Sequence, residues 1–376
     1  MRLLIIAPEQ YPVPNLKGTS VENCIYNIAI RLAKHHDVTI VSRQSSEIPN
    51  ITVIGNLKII RLPSTSSSKY IKAVLKVIKN KEFDAIQIDN RPNYLACIRA
   101  LFPNTPIFLF LHSLTFVTPP KTQISTVGLQ LYNATKIITN SNSTKKQLSL
   151  LYPLHADKVK VVHLGVNLQQ FRPATNHERL TVRNKYKAND TFVVVYAGRF
   201  IPIKGISQLI RATEIVRRQI PIAKLYLAGG GSKSYVTYIK NLAQKVNVPL
   251  HFIGYLARED VHHAYWMADC FVCPTQKHES FGLVNVEALA CGVPTVASRI
   301  GGIQEIIKHN HNGLLVTNYK NAQSLAKEIL KIAKNRKLAK RLGAAGRRSC
   351  QSKFNWENTS AKLERIYAGD IIKAKR

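Results

Sequence analysis

Two acids eight residues apart, Glu279 and Glu287, flank a short apolar run in HESFGLVNVEALACGVPTVAS (278–298). Carboxylates at such a spacing either pass protons at a reacting bond or accept hydrogen bonds from something bound. Ser280 offers an N-cap for a helix from about Gly282 to Cys291, stopped by Gly292 and Pro294. Glu279 then precedes that helix and Glu287 lies within it. Phe281, Leu283, Val284, Val286, Ala288, Leu289 and Ala290 make the helix apolar on nearly every side, so it is expected to be buried. A carboxylate there is costly without donors. Hydroxyl groups of a ligand would supply them, with backbone N–H groups of the helix start facing the same space; a salt bridge to a neighbouring lysine would serve as well.

Cations stand in a comparable place in YAGRFIPIKGISQLIRA (196–212), where a strand ends at Gly198 and a helix opens near Gly205. Lys204 at a helix start opposes the helix dipole, whereas a bound phosphate would be favoured by the free N–H groups and by Arg199 and Lys204 together. The two are a phosphate clamp or simply two solvated cations among the 54 lysines and arginines. In NLKGTSVENC (15–24), Gly18 permits close backbone approach before a helix, while Thr19 with Glu22 fits a capping box. Gly229, Gly230 and Gly231 end another strand, as a plain turn or as a cradle. His112 ends the apolar strand PIFLFLH (106–112), as a core-edge residue or as a catalyst.

The elements that must carry these residues alternate. RLLIIAP (2–8), DVTIVS (37–42), FDAIQI (83–88), PIFLFLH and KIITNS (136–141) read as strands, and TSVENCIYNIAIRLAKHH (19–36) has helical spacing. The alternation restarts with FVVVYAG (192–198), helices near 206–219 and 234–246, KLYLAGG (224–230), LHFIGY (250–255), CFVCPT (270–275) and TVAS (295–298). Residues 165–191 carry turn formers and charge with little periodicity, as a connection would. The reading is an α/β protein of two Rossmann-like domains, 1–172 and 173–354, with a final segment 355–376. Two domains leave a cleft, and ligands of open α/β sheets collect beyond the carboxyl ends of the strands.

Totals narrow the choice. A hydrophobic share of 45% and a charged share of 20% over 376 residues describe a folded globular chain. The apolar run 3–7 stops at Pro8-Glu9, too short for a signal core or a membrane span, so a cytoplasmic chain starting here is expected. Of six cysteines only Cys270 and Cys273 have metal-like spacing, and they sit in a buried strand; core packing is expected and no metal. A net charge of +33 favours anionic partners: nucleic acid, acidic lipid, polyanionic glycan or a phosphorylated substrate. Nucleic acid is set aside, because no zinc-finger spacing, helix-turn-helix signal or RNP-like strand accompanies the charge. KYIKAVLKVIKNKEF (69–83) puts Ile71, Val74, Leu75 and Ile78 on one helical face and Lys69, Lys72, Lys76 and Lys79 on another. With seven cations in 334–348, this leaves an anionic membrane surface or polyanion as a partner to test.

The opening stretch, with APEQYPVPNLKG, LHSLTF, NSNSTKK, HLGVNLQQFRP, AGRFIPIKG, LAGGGS, FIGYL and GGIQEII, resembles the retaining glycosyltransferases of family 4, with their E-x7-E signature and GT-B fold. The resemblance implies a nucleotide-sugar donor held between the two domains, an acceptor that receives the sugar with its anomeric configuration kept, and neither metal nor other cofactor. It implies that Arg199 and Lys204 hold the diphosphate, Glu279 the sugar hydroxyls and Glu287 the ribose hydroxyls. Ser280 and the backbone of Phe281, Gly282 and Leu283 would face sugar and phosphate, His112 the sugar near its reacting carbon, and Tyr255 the base. Gly18 would close over the phosphates, with Thr19 where many members have a second glycine; Asn167 stands where an aspartate is common. The final helix would cross back to the first domain. Both glutamates would then hold a ligand, unlike the acid and base of most glycosidases, and the chain contains no Asp-x-Asp triplet. RLLIIAPEQYPVP resembles in particular spore coat and cell-surface polysaccharide enzymes of Gram-positive bacteria, implying a UDP-sugar and a glycan or lipid-linked acceptor, at the inner face of the membrane or in the spore coat. A catalytically silent coat protein on the same fold is the alternative.

Overall fold

The computed structural model describes residues 1–15 and 20–375. Met1–Leu164 with Trp356–Arg376 form one compact unit and Gly165–Asn355 another.

Short runs rich in Val, Ile, Leu and Phe, buried on both faces, can only be central strands of covered parallel sheets. The strands of the first unit are β1 (Arg2–Ile6), β2 (Asp37–Arg43), β3 (Ile51–Ile54), β4 (Leu57–Leu62), β5 (Ala85–Asp89), β6 (Ile107–Leu111), β7 (Lys136–Thr139) and β8 (Val159–Val161), with β3 an exposed edge. Their order is β3-β4-β2-β1-β5-β6-β7-β8, parallel throughout except that β3 runs antiparallel to β4. That hairpin departs from the strict strand-helix alternation read from the sequence; Gly55, at φ +55°, makes its tight turn with Asn56. The second unit holds β9 (Phe192–Ala197), β10 (Ala223–Ala228), β11 (Leu250–Gly254), β12 (Cys270–Cys273), β13 (Thr295–Ser298) and β14 (Leu314–Val316), all parallel in the order β11-β10-β9-β12-β13-β14. Strand order reverses between β1 and β5 and again between β9 and β12, and such switch points are where open sheets present their loops to ligands.

The change of unit falls at residue 164, before the boundary near 172 that composition suggested. Its cause is a set of bonds that composition does not display. The Val166 N–H donates to the Phe354 carbonyl at 3.0 Å, and Arg347 donates to the carbonyls of Phe171 and Leu168. The stretch read as a connection holds a helix, Asn176–Lys185, opened by a capping box between Thr175 and Glu178. Asp269 fastens it, accepting from Arg179 at 2.7 Å, Arg183 at 2.5 Å and the Val193 N–H. The helix Trp356–Lys375 belongs to the first unit, where Glu357 pairs with Arg31, Glu364 with His36, and Thr359 donates to the His163 carbonyl.

Cys270 and Cys273, three apart on one strand, point to opposite faces of the sheet and so cannot share an ion. Both are buried free thiols, and burial pushes their pKa up. The lysine-rich helix Ser67–Ile78 buries Tyr70, Val74 and Ile78, with Ile71 and Leu75 half-buried beside them, and leaves Lys69, Lys72, Lys76 and Lys79 exposed. The second basic run is no continuous stripe: it divides between the helices Ala322–Lys334 and Arg336–Ser352, and Arg347 turns inward.

Gly343, inside the helix Arg336–Ser352, lets that helix lie directly on the Gly292 carbonyl, which an added Cβ would meet at 2.1 Å. Alanine is the better helix former by about 1 kcal/mol, but overpacking costs about 1–3 kcal/mol. Gly343→Ala is therefore expected to lower the denaturation midpoint; a midpoint that is unchanged or raised would show that the helix can move away.

Candidate active site

The second unit's switch point gathers the residues of interest. Past β9, Gly198 sits at φ +145° and its N–H donates to Ala228, while the Phe200 N–H donates to Gly230 at 2.7 Å. A Cβ on Gly229 or Gly231 would lie 2.1 or 2.2 Å from the carbonyls of Gly198 or Phe200. The glycine triplet thus lets the loop after β10 close onto the loop after β9, with Arg199 fixed between its two anchors. The Tyr196 hydroxyl adds a bond to the Arg199 carbonyl at 2.8 Å, and the arginine side chain stands exposed. Tyr255 lies over Gly230, whose Cβ would touch its ring at 3.2 Å, and keeps 65% of its surface open.

Lys204 ends a single 3-10 turn, Pro202–Lys204, and Gly205 follows at φ +75°. Any Cβ on Gly205 would fall 2.0 Å from the Pro274 carbonyl, so this loop is pressed against the one leaving β12. Across that contact Lys204 Nζ meets Glu279 Oε2 at 2.5 Å, with the two side chains 21% and 17% exposed. Glu279 is held from behind: its carbonyl accepts from the Gly302 N–H at 2.8 Å, and Gly301, at φ +55°, has room for no side chain there. The pair brings together one residue from each strand flanking the switch point. The lysine partner that was one reading for the carboxylate inside the helix thus falls to Glu279, which precedes it.

The helix that follows is Leu283–Ala290, and its N-cap is Gly282 at φ +93°, with no side chain capping it. Ser280 therefore does not have the capping role its position suggested. Gly282 holds the cap position in its place. Phe281 is buried with its ring edge-on to Phe354, and Leu283 is partly open at the helix start.

Among the described residues Glu287 meets no lysine; Oε2 accepts a hydrogen bond from the Tyr265 hydroxyl at 2.6 Å. Part of the residue reaches solvent, but its carboxyl is enclosed, and that burial pushes it up to about 7 while the Tyr265 bond pulls the other way. Tyr265, fully buried, is itself raised well above the usual phenol range by burial and by the carboxylate. Nothing in the local sequence marks this partner, 22 residues upstream on another helix.

In the first unit His112 follows β6 and is almost wholly buried. Its Nε2 lies 2.8 Å from Asp89 Oδ1, its ring stacks on Phe110 at 4.4 Å, and its N–H and carbonyl bond to Asn90 and Asn140. Asp89 escaped the sequence reading. An acid at the carboxyl end of a strand beside a switch point was the available signal. Gly18 and Thr19 lie outside the described residues.

The enclosed carboxyl of Glu287 has a testable sign. Because its folded pKa is raised, the native state holds the proton more strongly than the unfolded chain between about 4.5 and about 7, and its contribution to stability falls as pH rises through that window. Glu287→Gln should therefore melt close to wild type at pH 5 and progressively above it by pH 8. A difference independent of pH would contradict the raised pKa.

The family described as Glycosyl transferases group 1 matches residues 178–349, and Glycosyltransferase Family 4 matches 21–170. The chain is 29% identical to the putative glycosyltransferase YtcC of Bacillus subtilis, over 98% of this chain and 92% of that one. It is 26% identical to spore coat protein SA of the same organism, over 98% and 99%. Among solved structures it is similar to Anabaena HepE in complex with UDP-glucose, at a TM-score of 0.80 and 18% identity over 98% of this chain and all of the other. The chain thus carries the two domains of a GT-B glycosyltransferase, family 4 in its first unit and group 1 in its second.

Proposed function

We propose that the chain is a retaining, metal-independent hexosyltransferase that moves a sugar from a UDP-sugar to a cell-surface or spore-coat glycan or a lipid-linked acceptor. The observation that carries this reading is Lys204 on Glu279 at 2.5 Å at the second switch point, with Arg199 exposed on the neighbouring loop. A diphosphate draws Lys204 and Arg199 to itself, and a sugar hydroxyl then takes the lysine's place as donor to Glu279. Glu287 takes the ribose hydroxyls, Tyr255 stacks on the base, and Ser280, Phe281, Gly282 and Leu283 line the sugar and phosphate at an uncapped helix start. His112 meets the sugar near its reacting carbon. UDP is favoured over other nucleotides by the likeness to HepE, whose solved complexes contain UDP and UDP-glucose.

In the reaction the bond from the anomeric carbon to the diphosphate oxygen breaks and the acceptor oxygen bonds to that carbon on the same face. The acceptor's proton leaves with the diphosphate. Negative charge grows on the departing group, where Arg199, Lys204 and the helix N–H groups stand ready. Removing one such stabilising group costs about 10²–10³ in rate.

Lys69, Lys72, Lys76 and Lys79 form the exposed face of a helix whose other face is in the core, which suits an anionic lipid surface on the cytoplasmic side. Among the described residues no helix is long and apolar enough to cross a membrane.

With UDP-glucose, GDP-mannose and ADP-glucose as donors, turnover is expected with a UDP-sugar, undiminished by chelator, and about 10²–10³-fold lower in Glu279→Ala. Equal turnover in the variant contradicts the assignment; no turnover of any donor by wild type favours a silent coat protein. Replacing the four lysines by glutamine should abolish sedimentation with anionic vesicles at low salt. Equal recovery of wild type with neutral vesicles removes the lipid surface.

A further inference from the structure

A row of hydrogen-bonded side chains runs across the first unit's sheet from the terminal helix to His112. Gln87 and Asp89 are two apart on β5 and so share a face, and they lie opposite Phe108 and Phe110 of β6. Tyr367, on the helix Trp356–Lys375, lays its ring against Phe108 with centroids 4.7 Å apart, and its hydroxyl donates to Gln87 Oε1. That contact settles the amide's orientation. With Oε1 occupied as acceptor, Gln87 Nε2 donates to Asp89 Oδ2 at 2.8 Å.

Asp89 then has one oxygen left, Oδ1, 2.8 Å from His112 Nε2. An ionised carboxylate only accepts, so the hydrogen of this bond resides on Nε2. Every member of the row is at most 8% exposed. The one polar atom left over is His112 Nδ1, which is buried and has no hydrogen-bond partner among the described residues. In the neutral Nε2–H tautomer that atom is an acceptor, and a buried acceptor without a donor is unfavourable until something supplies one.

We propose that Asp89, locked by Gln87 and Tyr367, is a positioning residue that holds His112 as the Nε2–H tautomer, so that Nδ1 accepts a hydrogen bond from a hydroxyl of the bound sugar. This rests on the reading of His112 as a contact of the donor sugar. The terminal helix is then part of the site's machinery, because its tyrosine fixes the Gln87 amide that in turn holds the Asp89 carboxylate. The same carboxylate–imidazole arrangement fixes a tautomer wherever a ring nitrogen must be kept free of its proton.

The test uses the full chain with ¹⁵N-labelled histidine, read by long-range ¹H–¹⁵N correlation and assigned with His112→Gln. Wild type should show a protonated Nε2 and a bare Nδ1. Asp89→Asn, whose amide can donate, should move the hydrogen to Nδ1 and lower kcat/KM for the best of the three sugar nucleotides about tenfold or more. Tyr367→Phe keeps the ring on Phe108 and should give a smaller change of the same sign, which preserves the test if Asp89→Asn does not fold. A proton on Nδ1 in wild type, or a tautomer unmoved in Asp89→Asn, overturns the positioning. A moved tautomer with unchanged turnover overturns its link to the sugar. If His112→Gln itself turns over normally, the sugar contact falls and the spectra alone judge the row.

Discussion

An ion pair fixed by glycines is the constraint on which the second unit's site depends. Lys204 and Glu279 come from loops that would separate if Gly205 or Gly301 carried a side chain, because the carbonyls of Pro274 and Glu279 occupy that space. The pair is partly solvated, and at an effective dielectric near 20 two charges in contact attract by about 4 kcal/mol before desolvation is subtracted. Such a contact is strong enough to hold both groups in place and weak enough to be exchanged. A ligand that brings a doubly charged diphosphate and a sugar hydroxyl offers each member a better partner, so the site is organised before the ligand arrives.

The two glutamates differ in environment, and the difference separates their roles. Glu279 meets a cation in a partly open place, whereas Glu287 meets a phenol in an enclosed one. Neither is arranged as an acid facing a base across a bond. Both suit the holding of hydroxyl groups, with the cost of Glu287's charge controlled by Tyr265. The first unit repeats the strategy with Asp89 and His112, where one buried acid governs the face that a ring presents. Rate enhancement in such a site would come from charge already in position when the glycosidic bond breaks, which is where fixed dipoles and cations contribute most.

Much of this was legible in the sequence for simple reasons. Buried parallel strands are continuous apolar runs, and β1, β6, β9 and β12 could be read directly as such. The residues after them, His112, Arg199, Lys204 and Glu279, stood out because polar groups at strand ends have few structural uses. What escaped depends on contacts distant in sequence. Tyr265 looks like any core aromatic until Glu287 is placed beside it, and Asp89 gains a role only once His112, 23 residues on, is placed beside it. The compact units divide at residue 164, ahead of the boundary near 172, because Arg347, some 176 residues beyond Phe171, fastens the apparent connection. The cap position falls on Gly282, two residues past Ser280, in a left-handed conformation that the sequence permits but does not announce.

Everything proposed for the site requires Lys204 to exchange Glu279 for phosphate. A crystal structure of the full chain with UDP-glucose tests it most directly. Lys204 Nζ and the Arg199 guanidinium are expected within hydrogen-bonding distance of the diphosphate oxygens, with Glu279 turned to the sugar. A bound nucleotide with Lys204 still on Glu279 and Arg199 in solvent would contradict it.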